Sequence, residues 1–351
     1  MAHSNTNFDI TEQSLLDAAR KYDRSLRTLP MIALQDTLQY VTVMGGIQGD
    51  YVLSMLKANA HWAPYRQNDT SKNKISVDPR ILTTRLSSLE MRFDPNQVAG
   101  KLMESRPNTG DGLANVPIAA KVLMEVARES GENLNTHIFD AKYSASGTEE
   151  KDCFDGWDTI AEKEIQGGGI AASKGNYLDL AAYDLTEENT FDAINYIYNS
   201  ANAKLKGYGN SNRPVFIYCS PDIQQFYNIG FKNAMGSVPY NKTWNQTSVL
   251  GSNGKAILVP IISKAGSKYI QVTTKGNMLF GTDRIADINQ FKVKVPELWD
   301  VLAGGTMWAG TQYESIEKEN LLIAKIKGVS APTNPFASAS NTPSGAEGAG
   351  A

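Results

Sequence analysis

The sequence predicts an α+β fold. Three stretches carry that expectation. Val116, Ala119, Ala120, Leu123, Val126 and Ala127 recur at three- and four-residue spacing, one apolar stripe of a helix. Phe291-Lys-Val-Lys-Val295 alternates apolar and charged residues, the period of a half-buried strand. Pro214-Val-Phe-Ile-Tyr-Cys219 is a short apolar strand run, and Ser220-Pro221 follows it at once as an N-cap and a first-turn proline.

In chain order, residues 1–10 are polar and a mobile terminus is expected. Thr11 precedes Glu12 and Gln13 as a helix cap, and Leu15, Leu16, Ala18, Ala19 and Tyr22 lie on one face. Leu26-Arg-Thr-Leu-Pro30 is expected to break this helix. Residues 31–53 read as strand or short helix, interrupted by Gly45-Gly46. From His61-Trp62-Ala-Pro64 the chain turns polar and basic. It carries Arg66, Lys72, Lys74, Arg80, Arg85 and Arg92 against Asp69, Asp78 and Glu90. Lys74–Val77 and Ile81–Leu86 read as the two arms of an extended hairpin. With so few apolar residues, its partner surface is expected on another molecule.

The helix of residues 114–131 has Pro117 near its start and Lys121, Glu125, Arg128, Glu129 and Glu132 off its stripe, so it is half-exposed. Acids gather next at Glu149, Glu150, Asp152, Asp155 and Asp158. Phe154-Asp-Gly156-Trp157-Asp-Thr-Ile160 leads into a short helix ended by Gly167-Gly168-Gly169. Residues 185–205 read as a helix capped by Thr186-Glu-Glu-Asn189 that buries Phe191, Ile194, Ile197, Tyr198 and Ala201. Gly207 to Asn212 is a turn. The helix after Ser220 carries Ile223, Phe226 and Tyr227 on one side. Strands follow at 256–262 and 269–273, with Gly266-Ser267 turning between them. Residues 288–327 are strand-rich, and the low-complexity stretch after Val329 is expected to be disordered.

The 351 residues are 41% hydrophobic and 20% charged, enough for one large domain or two intertwined ones with a core that needs no staples. A formal net charge of −3 argues against a strongly basic nucleic-acid binder. Cys153 and Cys219 read as free thiols rather than a disulfide framework. His3, His61 and His137 lack ligand spacing, so no metal is expected, and no cofactor. No apolar run approaches the ~20 residues of a membrane span. Met1-Ala-His-Ser-Asn-Thr-Asn has no basic segment leading into an apolar core, so neither a signal peptide nor a membrane partner is expected.

Candidate chemistry dissolves on inspection. Gly167-Gly168-Gly169 lacks the strand before it and the Gly-Lys-Ser/Thr after it that a phosphate loop needs. Gly-Thr-Asp283 reads as a turn closed by an Asp side chain. Ser220 lies in Tyr-Cys-Ser-Pro-Asp, where Pro221 removes an oxyanion-hole N–H, so it caps a helix. Asp155 and Asp158 read as solvated first-turn acids. The basic arm lacks interleaved aromatics for base stacking. No catalytic residue is expected.

The last third runs Asn277-Met-Leu-Phe-Gly-Thr-Asp283-Arg284, then Asp287, a strand-like run to Trp299, and Met307-Trp-Ala-Gly310-Thr-Gln-Tyr-Glu-Ser-Ile-Glu-Lys318. It resembles the closing segment of tailed-phage major capsid proteins of the Hong Kong 97 type. Phe154-Asp-Gly-Trp157 and Asn277 to Asp287 are most similar to those of phages infecting Bacteroidetes. The resemblance implies an N-terminal arm (1–55), an extended loop (56–95), a peripheral domain with spine helix (96–149), an axial domain (150–276) and peripheral return strands (277–328); the disordered tail (329–351), read from composition, is a departure from it. It implies a shell subunit forming hexamers and pentamers of an icosahedral virion, put together in the host cytoplasm around weakly and non-specifically held double-stranded DNA. A portal, a separate scaffolding protein and decoration proteins are the partners it implies. Opposite charge then pairs Arg66, Lys72, Lys74, Arg80 and Arg85 of the loop with Glu125, Glu129, Glu132, Glu149 and Glu150 of a neighbouring copy. An encapsulin-like compartment shell and a soluble α/β enzyme stay open as alternatives.

Overall fold

The computed structural model describes residues 12–59, 74–94, 118–207, 213–235, 246–297 and 300–329. Its helices are α1 (Glu12–Lys21), α2 (Asp23–Ala33), α3 (Gln35–Leu38), α4 (Ile118–His137), α5 (Trp157–Gln166), α6 (Thr190–Ser200) and α7 (Pro221–Met235). Its strands are β1 (Thr42–Met44), β2 (Asp50–Asn59), β3 (Lys74–Thr83), β4 (Arg85–Phe93), β5 (Tyr177–Leu185), β6 (Val215–Cys219), β7 (Ala256–Pro260), β8 (Tyr269–Thr273), β9 (Met278–Thr282), β10 (Gln290–Glu297), β11 (Asp300–Tyr313) and β12 (Leu321–Val329).

The long strand β11 organises the first sheet. It pairs antiparallel with β10 along one edge and with β4 and then β9 along the other, and β9 pairs parallel with β1. In β10, Phe291 is buried and Lys292 and Lys294 are exposed, as the alternation requires. Helices α1, α2 and α4 cover this sheet. Ala120, Leu123, Ala127 and Leu134 of α4 are buried in one core with Leu26 and Met31 of α2 and with Val301, Ala303 and Ala309 of β11.

The second sheet runs β5-β12-β8-β6-β7. It is covered on both faces, which is why its strands read as near-continuous apolar runs. Ile194 and Ile197 of α6 and Ile223 and Tyr227 of α7 pack with Val215, Ile217, Val272 and Leu322. Tyr218, Val259 and Ile323 belong to the core shared with the first sheet.

Four expectations are corrected. Pro30 does not break the first helical region but lies inside α2. The cost of a helix-interior proline, ~3 kcal/mol, is met by tertiary packing. Leu26, Pro30 and Met31 are buried, and a Cβ at Gly131 of α4 would come within 2.5 Å of the Pro30 carbonyl oxygen, so this glycine admits the crossing. Second, the hairpin does not pair 74–77 with 81–86. Both runs begin on β3, which pairs with β2 from Asp50↔Thr83 to Asn59↔Lys74, while the chain from Arg85 crosses into the first sheet as β4. The partner missed in the sequence was Asp50–Asn59, whose Leu53 packs with Leu82, Ile47 and Leu279. Third, the segment 277–328 is shared between sheets, since β12 lies in the second. Fourth, the turn after β9 is closed by the Thr282 hydroxyl donating to the Arg284 carbonyl at 3.2 Å.

Several readings hold. α4 continues to His137, beyond the expected 131. The helix expected at 185–205 is shorter, at 190–200. Thr186 N–H donates to Asn189 Oδ1 at 2.8 Å in the turn before it. Ser220 caps α7, its Oγ accepting the Ile223 N–H at 3.3 Å. The expectations for residues 1–10, the Gly207–Asn212 turn beyond Gly207, and the tail after Val329 lie outside the described residues.

The β3–β4 junction crosses directly over β9 and β11, where Gly281 pairs with Gly310. A Cβ at Gly310 would fall on the Thr83 carbonyl group, whereas one at Gly276 meets open space. Gly310→Ala is expected to destabilise the chain by about 1–3 kcal/mol, as forced overpacking does. Gly276→Ala is expected to be close to neutral, both read by denaturant unfolding.

Candidate functional site

The hairpin β2–β3 is a separate two-stranded sheet, and directly opposed residues on such a pair share a face. Leu53 opposes Arg80, and their face turns to the chain's own body, where Leu53 and Leu82 are buried. Val52 opposes Ile81, and Val77 falls on the same outward face. These three side chains are 57%, 51% and 54% exposed. An isolated two-stranded hairpin is marginal in water, and an uncovered apolar face marks a contact surface.

Arg66 and Lys72 lie outside the described residues, as does the side chain of Lys74. Arg80 is committed within its own chain. Its Nη2 donates to Glu164 Oε1 at 2.7 Å and to Gln312 Oε1 at 3.0 Å, and its Nε donates to the Tyr313 carbonyl at 3.0 Å. Arg85 is exposed and lies over the Tyr143 ring, 4.7 Å from its centroid.

The structure gathers three of the expected acids. Glu125, Glu129 and Glu132 all stand on the exposed face of α4 around Arg128. The Arg128 guanidinium, hydrogen-bonded to Glu125, holds that carboxyl below its usual range. Three carboxylates against Arg128 and Lys121 leave this helix face with a small acidic excess. Glu149 and Glu150 are exposed on the short turn before α5, and Glu149 pairs with Lys151 at 2.5 Å. Neither Arg80 nor Arg85 meets any of these five acids within the chain.

Asp158 corrects the reading of a solvated acid. It is buried, and Lys264, buried at 1% exposure, donates to its Oδ1 at 2.9 Å. Ser267 donates to its Oδ2 at 2.6 Å, and the Gln271 side-chain amide also donates to it. Burial pushes the Lys264 ammonium down from its ordinary range, and the Asp158 charge opposes that. Phe139 stacks its ring 4.6 Å from the same ammonium. Every polar atom of the pair is bonded to a protein partner. Lys264 is 106 residues away, and nothing beside it in sequence marks it as a partner. Gly167 to Gly169 close α5, Gly168 taking φ of +70°. Among the described residues no cluster of metal-ligating side chains occurs, and no helix is long and apolar enough to cross a membrane.

No family model matches the sequence, and no curated protein matches it. Solved structures do match. The capsid of Myoviridae phage XM1 aligns at a TM-score of 0.52 and 11% identity, over 83% of this chain and 91% of that one. The capsid of an empty GTA particle aligns at 0.53 and 11%, over 84% and 90%. The capsid of the native GTA particle aligns at 0.50 and 10%, over the same shares. The fold is the Hong Kong 97-type capsid fold. In this fold's α+β arrangement, α4 is the long helix under the first sheet, β2–β3 is the extended hairpin, and the sandwiched second sheet is the other body.

Removing one partner of the buried pair strands the other. Lys264→Met is expected to cost about 3–5 kcal/mol, and Lys264→Met with Asp158→Leu much less, by denaturant unfolding of the unassembled chain. Alkaline pH tests the buried acids. Burial pushes the Cys219 thiol from 9.0 and the Tyr269 phenol from 10.0 each up to about 12, and raises Tyr218 and Tyr313 from 10.0. A raised folded value contributes stability that is complete below the unfolded value and lost as pH rises. Lys264, pushed down, works in the opposite sense below 10.5. Above about pH 10.5 the Lys264 contribution is spent and only the buried acids act, so the thermal midpoint is expected to fall from there upward. A flat midpoint across that range would contradict it.

Proposed function

We propose that this chain is the major shell subunit of a tailed-phage capsid, assembling as hexamers and pentamers of an icosahedral shell around double-stranded DNA. The observation that carries the reading is the hairpin: it leaves the body with Val52, Val77 and Ile81 uncovered on one face, in a chain with a capsid fold. A monomer gains nothing from such an arm, whereas a neighbouring copy buries it. The role is structural rather than catalytic. The shell is held by large obligate contacts, each above about 2,000 Å².

Within this reading, the arm precedes the extended loop, which runs to residue 95; 96–149 serve as peripheral domain, 150–276 as axial domain, and of 277–328 β9, β10 and β11 return to the first sheet while β12 joins the second. Because the hairpin starts at Asp50, the loop boundary belongs at that residue rather than at 56. The basic residues proposed to reach a neighbour are Arg66, Lys72, Lys74 and Arg85, and their partners are Glu125, Glu129 and Glu132, then Glu149 and Glu150. Arg80 has a different role. A portal, a separate scaffolding protein and decoration proteins complete the particle, which forms in the host cytoplasm. The sequence resemblance favours a host among Bacteroidetes.

Negative-stain electron microscopy of the chain, expressed with and without its genomic neighbours, is the test. Closed particles or capsomers are expected, and a monodisperse monomer under both conditions would sink the reading. In the same assay, Glu125→Lys with Glu129→Lys and Glu132→Lys is expected to reduce particle yield at low salt. Each exposed pair contributes only about 0–1 kcal/mol, so the loss is expected to shrink as salt rises.

A further inference from the structure

The hairpin is joined to the body by two crossing points. At one, Thr84 is buried and bonded to the turn before β2. Its N–H donates to the Gly49 carbonyl at 2.8 Å, and its Oγ1 accepts the Gly49 N–H at 2.9 Å. Gly46 and Gly49 on that turn take φ of +78° and +93°. One pivot of this kind fixes where the hairpin starts but not where it points. Among the described residues no other strand pairs with it.

A second attachment lies further out, at Arg80. Its guanidinium spans two elements, reaching Glu164 on α5 as well as Gln312 and the Tyr313 carbonyl on β11. Gln312 answers from the other side, its Nε2 donating to the Ile81 carbonyl at 2.8 Å. A cleft of about 510 Å³, lined by Pro79, Arg80, Gly169, Lys174 and Lys318 among others, opens beside this contact. Leu53 and Leu82 pack the root of the hairpin against Ile47 and Leu279, and on the side of the cleft it is the polar bonds of Arg80 that hold it.

Gly169 explains how the Glu164 carboxylate is available. A Cβ at Gly169 would come within 2.2 Å of Glu164 Oε2, so any other residue forces the carboxylate that holds Arg80 to shift. Gly168 beside it is different: its positive φ needs glycine, but nothing lies within 4 Å of its Cβ position. The triple glycine thus serves two separate purposes, a helix stop and a space for a carboxylate.

We propose that Arg80, Gln312 and Glu164, with Gly169 as the residue that makes room, form a latch that sets the direction in which the hairpin projects and so governs its presentation to a neighbouring copy. The assembly half rests on the shell reading above; the latch itself does not. Arginine is required because one planar fork must serve acceptors on two elements at once, which a lysine ammonium on a flexible stem does not do. Arg80 and Glu164 are positioning residues: they act on the neighbour only through the hairpin they hold.

The test measures the latch apart from assembly. Spin labels are placed at V77C on the hairpin and Y196C on α6 in a C153S background of the full chain, Cys219 being fully buried and unreactive. Double electron–electron resonance on unassembled protein is expected to give one narrow distance distribution for the otherwise unchanged chain. R80K, E164A and G169A are each expected to broaden or shift it, and G276A, at a glycine with open space and no positive φ, to leave it unchanged. An unchanged distribution in E164A and G169A would overturn the latch. R80K keeps the positive charge at this position, and circular dichroism checks that each variant is folded. Particle yield of the same variants without labels is then read by electron microscopy. A fall in R80K, E164A and G169A but not G276A supports the assembly role, and a broadened distribution with full particle yield overturns it. A parent chain that forms no particles refutes the shell reading, while the distances still decide the latch.

Discussion

The structure depends on one buried ion pair. Lys264 lies on the connection between β7 and β8, and Asp158 on the first turn of α5. Their contact, with Ser267 and Gln271 completing the coordination of the carboxylate, ties that turn to the second sheet. The same turn is tied to the first sheet by three other bonds. Trp157 Nε1 donates to the Gln312 carbonyl at 3.3 Å, Tyr313 donates to the Trp157 carbonyl at 3.1 Å, and Thr311 donates to the Asp155 carbonyl at 2.6 Å. One helical turn therefore sets how the two sheets lie against each other. A buried charge makes the arrangement strict, because moving the turn would leave an ammonium or a carboxylate without its counterpart, at a cost of several kcal/mol.

Polar groups do different work inside and outside this body. Inside, few charges are present and each is matched, so geometry is fixed. Outside, on α4, charges are many, screened and weakly coupled. That combination suits a subunit whose own shape must be invariant while its contacts form and rearrange. Arg80 stands between the two regimes. Its side chain is mostly covered, and its bonds run to the rigid centre through Gln312 and Tyr313, while the strand that bears it leads outward.

The parts legible in the sequence were those whose signal is local. The Val215–Cys219 strand followed by Ser220-Pro221, the apolar stripe of α4 and the alternation at Phe291 are each written within a dozen residues, and each appears in the structure. The resemblance of the last third led to the same fold that the solved structures show. What was missed is non-local. Asp158 sits among four other acids, where a helix dipole is sufficient explanation, and only the folded chain brings Lys264 to it. Pro30 is a breaker by every local rule, and only the approach of Gly131 makes it a core residue. The alternation of Tyr51-Val-Leu-Ser was present but short, and the basic residues beyond it drew the hairpin too far along the chain. Arg80, read as one cation of a run, differs from its neighbours through Glu164 and Gln312, both distant in sequence.

The outer strand of the second sheet has a consequence of another kind. Between Ile326 and Gly328 of β12, the facing residues on β5 jump from Leu180 to Asp184, so the edge bulges. Within the bulge, the Ala181 N–H is taken by the Asp179 side chain at 2.9 Å. A sheet edge with regular free donors invites a strand from any passing copy, and repeated addition of that sort builds fibres. Here the ladder is interrupted and one of its donors is already spent within the strand. The edge of β5 is thereby a poor template for strand addition, a route of growth that cannot close on itself at a finite size.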